Sequence, residues 1–190
     1  MVNAVSATSM YGTFANCPAL NSELNVYKLN TANVKNMSHM FSNCGSESNH
    51  VSLIFNNAEY TFNTGSVKDM SYMFDNAYVY SGKDNGVENN LDLIKFSVNN
   101  VTDMKYMFNE YSGKPINFPT AYASFAPYRS CDYSNMFTNV NLKYLDLSGF
   151  LISAGSNVLE MFCYSKERAE ENDTPLSAIY VAKDRDSATY

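Results

Sequence analysis

A thirteen-residue frame constrains this chain more than any other feature. An apolar anchor is followed by apolar residues 5, 8, 11 and 12 positions later, as in Phe62…Val67…Met70…Met73-Phe74. The frame returns at Leu29…Val34…Met37…Met40-Phe41 and at Phe96…Val101…Met104…Met107-Phe108. Looser copies are Val2…Ala7…Met10…Thr13-Phe14, Phe125…Ser130…Tyr133…Met136-Phe137 and Phe150…Gly155…Val158…Met161-Phe162. Successive anchors are separated by 27, 33, 34, 29 and 25 residues. A frame of fixed length with variable spacing is the mark of stacked repeats whose insertions fall in the connecting segments.

From Val67 to Phe74 the apolar spacing is i, i+3, i+6, i+7, which predicts one face of a short helix. Ser6, Asn33, Ser66 and Asn100, just before the frame's second apolar position, suit an N-cap. Asp69, Asp103 and Asp132 then sit in the first turn, where a carboxylate complements the helix dipole. Before the anchor, Leu24-x-Val26-x-x-Leu29, Leu91-x-Leu93-x-x-Phe96 and Leu145-x-Leu147-x-x-Phe150 alternate as half-buried strands do. The expected fold class is an α/β repeat: a leucine-rich-repeat-like solenoid of about six strand-plus-short-helix units with a C-terminal capping strand. A single domain over residues 1–190 is expected, with units 1–17, 18–44, 45–77, 78–111, 112–140 and 141–165 and a cap 166–190. Segments 45–57 and 78–90, rich in Ser, Asn, Gly and Asp, read as exposed loops.

The octets Val34–Phe41, Val67–Phe74 and Val101–Phe108 share V-x-x-M-x-x-M-F, and an L-x-L strand precedes the frame. This pattern resembles the BspA-like leucine-rich-repeat family of bacterial surface proteins. The resemblance implies a strand-and-helix solenoid displayed for adhesion or protein interaction, binding a protein or glycan partner and without an enzymatic role. The N-terminal ten residues have neither a basic segment nor an apolar run, so no signal peptide is expected there. A surface or extracellular location then requires that a signal has been removed. The alternative expectation is a virion component, a structural part of a larger particle that contacts neighbouring subunits.

Apolar residues at 45% suffice for a core, and the formal net charge of −6 argues against nucleic acid, whose backbone calls for a basic stripe. No apolar run approaches the ~18 residues of a membrane span, so no direct membrane insertion is expected. His39 and His50 have no Cys or carboxylate at ligand spacing, so neither metal nor cofactor is expected. The recurring Asp69, Asp103 and Asp132 invite a calcium reading, but capping explains them without a metal. No nucleophile or phosphate-loop motif is present, so no catalytic residue is assigned. Cys17 and Cys44 each lie three residues after a frame-end Phe. On rungs about 4.8 Å apart they are within disulfide reach, but the preferred reading is a ladder of small buried thiols.

Two stripes are candidate partner-binding surfaces. Asn25, Asp92 and Asp146 lie between inward aliphatics of the strands, with Lys95 just before an anchor. Lys28, Thr61, Ser124 and Gly149 share the position of Lys95, and all are expected on an open sheet face. His39, Tyr72 and Tyr106 form the competing stripe on the helix side. The sheet face is preferred because its side chains stand on rigid rungs, although Tyr favours recognition surfaces.

Overall fold

The computed structural model describes residues 6–121, 124–164, 176 and 178–181. Within it the second half of each frame forms turns, at 11–16, 38–43, 71–76, 105–110, 134–139 and 159–162. Rung two shows why. The N–H groups of Met40, Ser42 and Cys44 bond back to the carbonyls of Met37, His39 and Phe41 at 3.1–3.2 Å. The intervening N–H groups of Met37, His39, Phe41 and Asn43 donate instead to Asp69, Ser71, Met73 and Asp75 of the next rung, at 2.9–3.0 Å. Rungs one, three, four and five repeat this alternation.

The expected solenoid of strand-plus-short-helix units is therefore overturned. Among the described residues there is no α-helix, only small strand pairs and sheets and one 3₁₀ turn at Val26–Lys28. An α-helix needs right-handed dihedrals throughout and a bond from every N–H to the carbonyl four residues back. Here one column of residues is left-handed: Gly12, His39, Tyr72, Tyr106, Asn135 and Glu160, with φ between 53° and 58°. A second left-handed column follows four residues later at Asn16, Asn43, Asn76, Glu110 and Asn139. Each left-handed residue is third in its turn, where a type II turn requires positive φ.

Nine short strands complete the described architecture: β1 Glu23–Leu24, β2 Val51–Leu53, β3 Val79–Tyr80, β4 Lys83–Asp84, β5 Val87–Glu88, β6 Leu91–Asp92, β7 Ile116–Asn117, β8 Tyr144–Leu147 and β9 Ala178–Val181. The pairs β1–β2, β2–β3, β6–β7 and β8–β9 are parallel. On the turn side, isolated parallel bridges link Ser9, Asn36, Asp69, Asp103, Asp132 and Asn157 in succession. The segments expected as loops contain structure. β2 and β3 are buried. β4 and β5 form an antiparallel hairpin whose Asn85 and Gly86 both have positive φ, as a tight type I′ turn demands. Glu88 ties this hairpin to the rungs through His50 at 3.1 Å and Lys114 at 3.2 Å.

The core lies between turns and strands. Phe14, Phe41, Phe74, Phe108, Phe137 and Phe162 stack in one column with centroids 5.3–5.6 Å apart and planes within 9°. Phe55 and Phe118 of the strand side meet this column edge-on, at 88° to Phe41 and 89° to Phe108. Val34, Met37, Met40, Val67, Met70 and Met73 fill the space beside it and are fully buried. Buried Thr64 joins rungs three and four, its hydroxyl donating to the Ser97 carbonyl and accepting the Ser97 N–H, both at 2.8 Å.

Two stability outcomes follow. Phe74→Ala removes a ring stacked on both faces, and equilibrium unfolding is expected to show a loss of about 3–5 kcal/mol. Glu110→Asn puts a residue tolerant of the left-handed region where Asn16, Asn43 and Asn76 already stand. A gain of about 1 kcal/mol is expected, and an unchanged denaturation midpoint would count against the strain at Glu110.

Candidate functional site

The left-handed column ten residues after each anchor carries a row of stacked surface aromatics. His39, Tyr72 and Tyr106 are half-buried, and each stands directly above its neighbour because the rung-to-rung bonds fix the register. Their rings stack at 4.5 Å between His39 and Tyr72 and at 4.8 Å between Tyr72 and Tyr106, with planes 6° and 7° apart. In rung one the column holds Gly12, and the neighbouring Tyr11 fills the vacant volume, edge-on to His39 at 5.3 Å. Tyr72 is covered by a ring on each side, so what it offers a partner is the ring edge. Burial, and after it the neighbouring Tyr106, raises the Tyr72 phenol above its ordinary value.

A polar ladder flanks this ridge. The Asn76 amide donates to Asn43 at 2.9 Å and the Asn43 amide to Asn16 at 3.1 Å. Beside it Asp75 accepts from the Asn109 amide at 2.7 Å. Burial raises the Asp75 carboxyl above the usual range, against the Asn109 hydrogen bond, which lowers it. Tyr11, His39, Asn43, Tyr72 and Asp75 together line a groove of about 400 Å³. The sequence signal for this ladder is Phe-x-Asn, in Phe14-Ala-Asn16, Phe41-Ser-Asn43 and Phe74-Asp-Asn76.

The strand-side candidates do not form one cluster. Asn25 lies beyond β1 at one end of the stack, its amide donating to Glu23 at 3.3 Å. Asp92 pairs in register with Asn117, and Asn117 and Asp146 share a groove of about 280 Å³. Asp92 also lines a groove of about 570 Å³ with Asn56, Glu88, Asn90 and Asn117. Both carboxylates bond to their own backbone, Asp92 accepting the Ile94 N–H and Asp146 the Ser148 N–H at 3.0 Å. Lys95 is exposed, as are Lys28, Thr61 and Ser124, whereas Gly149 is buried against the Pro119 carbonyl.

The recurrent acidic column has a local use. Asp69, Asp103 and Asp132 accept the N–H two residues ahead, from Ser71, Lys105 and Ser134, at 2.9–3.0 Å. These carboxylates hold turns of the Asx type in place of helix caps.

A family model described as "Mycoplasma protein of unknown function, DUF285" matches residues 2–90 and again residues 84–175. The chain belongs to this family. No curated protein and no solved structure matches it. The two DUF285 matches overlap at residues 84–90, across the turn and second strand of the β4–β5 hairpin.

The DUF285 chain holds Cys17, Cys44, Cys131 and Cys163 as free thiols. Burial, and next the Cys17 thiol, pushes Cys44 up to about 12. Burial, followed by Asp103 and Asp132, does the same for Cys131, also to about 12. At pH 8 both stay protonated, and a protonated thiol is a poor nucleophile. A chromogenic disulfide reagent at pH 8 is therefore expected to label exposed Cys163 first, and Cys44 and Cys131 only after denaturant is added. Rapid labelling of Cys44 in the folded protein would contradict its burial.

Proposed function

We propose that this DUF285 chain is a non-enzymatic recognition module, displayed at a cell surface, that binds a protein or glycan partner along the ridge of His39, Tyr72 and Tyr106. One observation carries this proposal: three bulky rings stand in succession in a left-handed backbone column that Gly12, Asn135 and Glu160 fill elsewhere in the same stack. A left-handed residue with a full side chain costs about 1–2 kcal/mol. Each stacked aromatic pair returns about 0.5–1.5 kcal/mol. Two pairs do not offset three strained positions, so packing alone gives no reason to place rings there. Strained backbone that the surrounding fold holds in place clusters at binding sites.

The chemistry of the ridge supports the same use. It offers ring edges and phenol hydroxyls beside the amides of Asn43 and Asn76, on rungs that do not need to reorganise for binding. Surface display is supported by the resemblance of the V-x-x-M-x-x-M-F frame to BspA-like repeats.

The test compares two double variants on a printed glycan array and on immobilised extracellular-matrix proteins. Tyr72→Asn with Tyr106→Asn keeps residues that accept the left-handed region, and a loss of binding of tenfold or more is expected. Asp92→Lys with Asp146→Lys is expected to bind as the parent does. The opposite pattern would move the site to the strand side and sink the ridge assignment.

A further inference from the structure

The two ends of the stack are complementary, and they are offset. Each inner rung sends N–H groups from frame-equivalent positions to carbonyls of the next rung, as Met10, Gly12 and Phe14 do to Asn36, Ser38 and Met40. In rung six the equivalent donors are the N–H groups of Val158, Glu160 and Phe162, and among the described residues no further rung receives them. In rung one the equivalent acceptors are the carbonyls of Ser9, Tyr11 and Thr13, and among the described residues no earlier rung supplies a donor. One end is thus a row of donors and the other a row of acceptors, at the same spacing.

The side chains match as well. In frame register Val158 falls opposite Met10, Leu159 opposite Tyr11 and Phe162 opposite Phe14. Val158 is 47% exposed, Leu159 64% and Phe162 41%, whereas Met104 and Phe108 of an inner rung are fully buried. Tyr11 is 63% exposed. Asn157 would face Ser9 and Glu160 would face Gly12, so no like charges meet. On the strand side β9 extends one rung beyond β8, while rung six is the last on the turn side. At the other end rung one extends beyond β1, which among the described residues pairs only with β2. The ends therefore have the shape of a lap joint, in which rung one of another copy sits on rung six beside β9.

We propose that a second copy of this chain stacks head to tail on the first, its rung one on rung six and its β1 on the edge of β9 that faces away from β8. An interface of this kind uses two different patches and leaves each end of the pair free for another copy. It also covers a strand edge that no described residue pairs and the exposed apolar side chains of rung six.

Sedimentation equilibrium over a range of protein concentrations tests the joint. The parent chain is expected to show a mean mass that rises with concentration through two and more copies. Leu159→Lys spoils only the donor end and Tyr11→Lys only the acceptor end. Both side chains are mostly exposed, so unchanged melting temperatures are expected. Each variant alone is expected to stay monomeric where the parent associates. Mixed in equal amounts they are expected to give a species of two chains and nothing larger, because one intact donor end then meets one intact acceptor end. A parent that remains monomeric at every concentration, variants that associate as the parent does, or a mixture that stays monomeric would each overturn the proposal.

Discussion

The bonds that run from rung to rung are the interaction on which the rest of this structure depends. A buried backbone N–H must find an acceptor, and in this frame consecutive residues find theirs in two different directions. One set closes turns within a rung and the other reaches the next rung, 25–34 residues along the chain. Holding both sets at once goes with a left-handed residue in every rung. It also brings equivalent side chains of successive rungs into register, which is why the Phe column, the Asn ladder and the surface rings all stack.

Which side chains point inward was legible from spacing alone. Val34, Met37, Met40 and Phe41 are fully buried, as are Val67, Met70, Met73 and Phe74. The backbone that buries them was not legible, because apolar residues at i, i+3, i+6, i+7 fit a chain of tight turns as well as a helix. Phe-x-Asn is the signal that separates the two. Asn is one of the few residues that visits the left-handed region readily, and its return at Asn16, Asn43, Asn76 and Asn139 marks the turn ends. Asn85-Gly86 announces the β4–β5 hairpin in the same way, inside a stretch whose polar composition suggested a loop.

The candidate surfaces divide along the same line. His39, Tyr72 and Tyr106 share a frame position, so their common stripe could be read from the sequence. Their stacking at 4.5 and 4.8 Å, and the left-handed backbone beneath them, depend on the inter-rung register and could not. On the strand side, alternation placed Asp92 and Asp146 on one face. Spacing carries no sign that each carboxylate is already occupied by an N–H two residues ahead, nor that Asn117 stands between them.

The insertions that lengthen rungs three and four have an entropic consequence. Bringing one rung onto the next closes a loop of 25 to 34 residues. Closure cost grows only with the logarithm of loop length, so across that range it changes by about 0.3 kcal/mol. Segment length is therefore close to a neutral variable in this architecture. A hairpin such as β4–β5, which lies between β3 and β6, can be gained, lost or exchanged while the ladder beneath it stays the same. One extra residue inside the frame would put every alternate N–H out of phase with its acceptor. Variation in such a chain is channelled to one side of the stack, where new surface can arise without renegotiating the core.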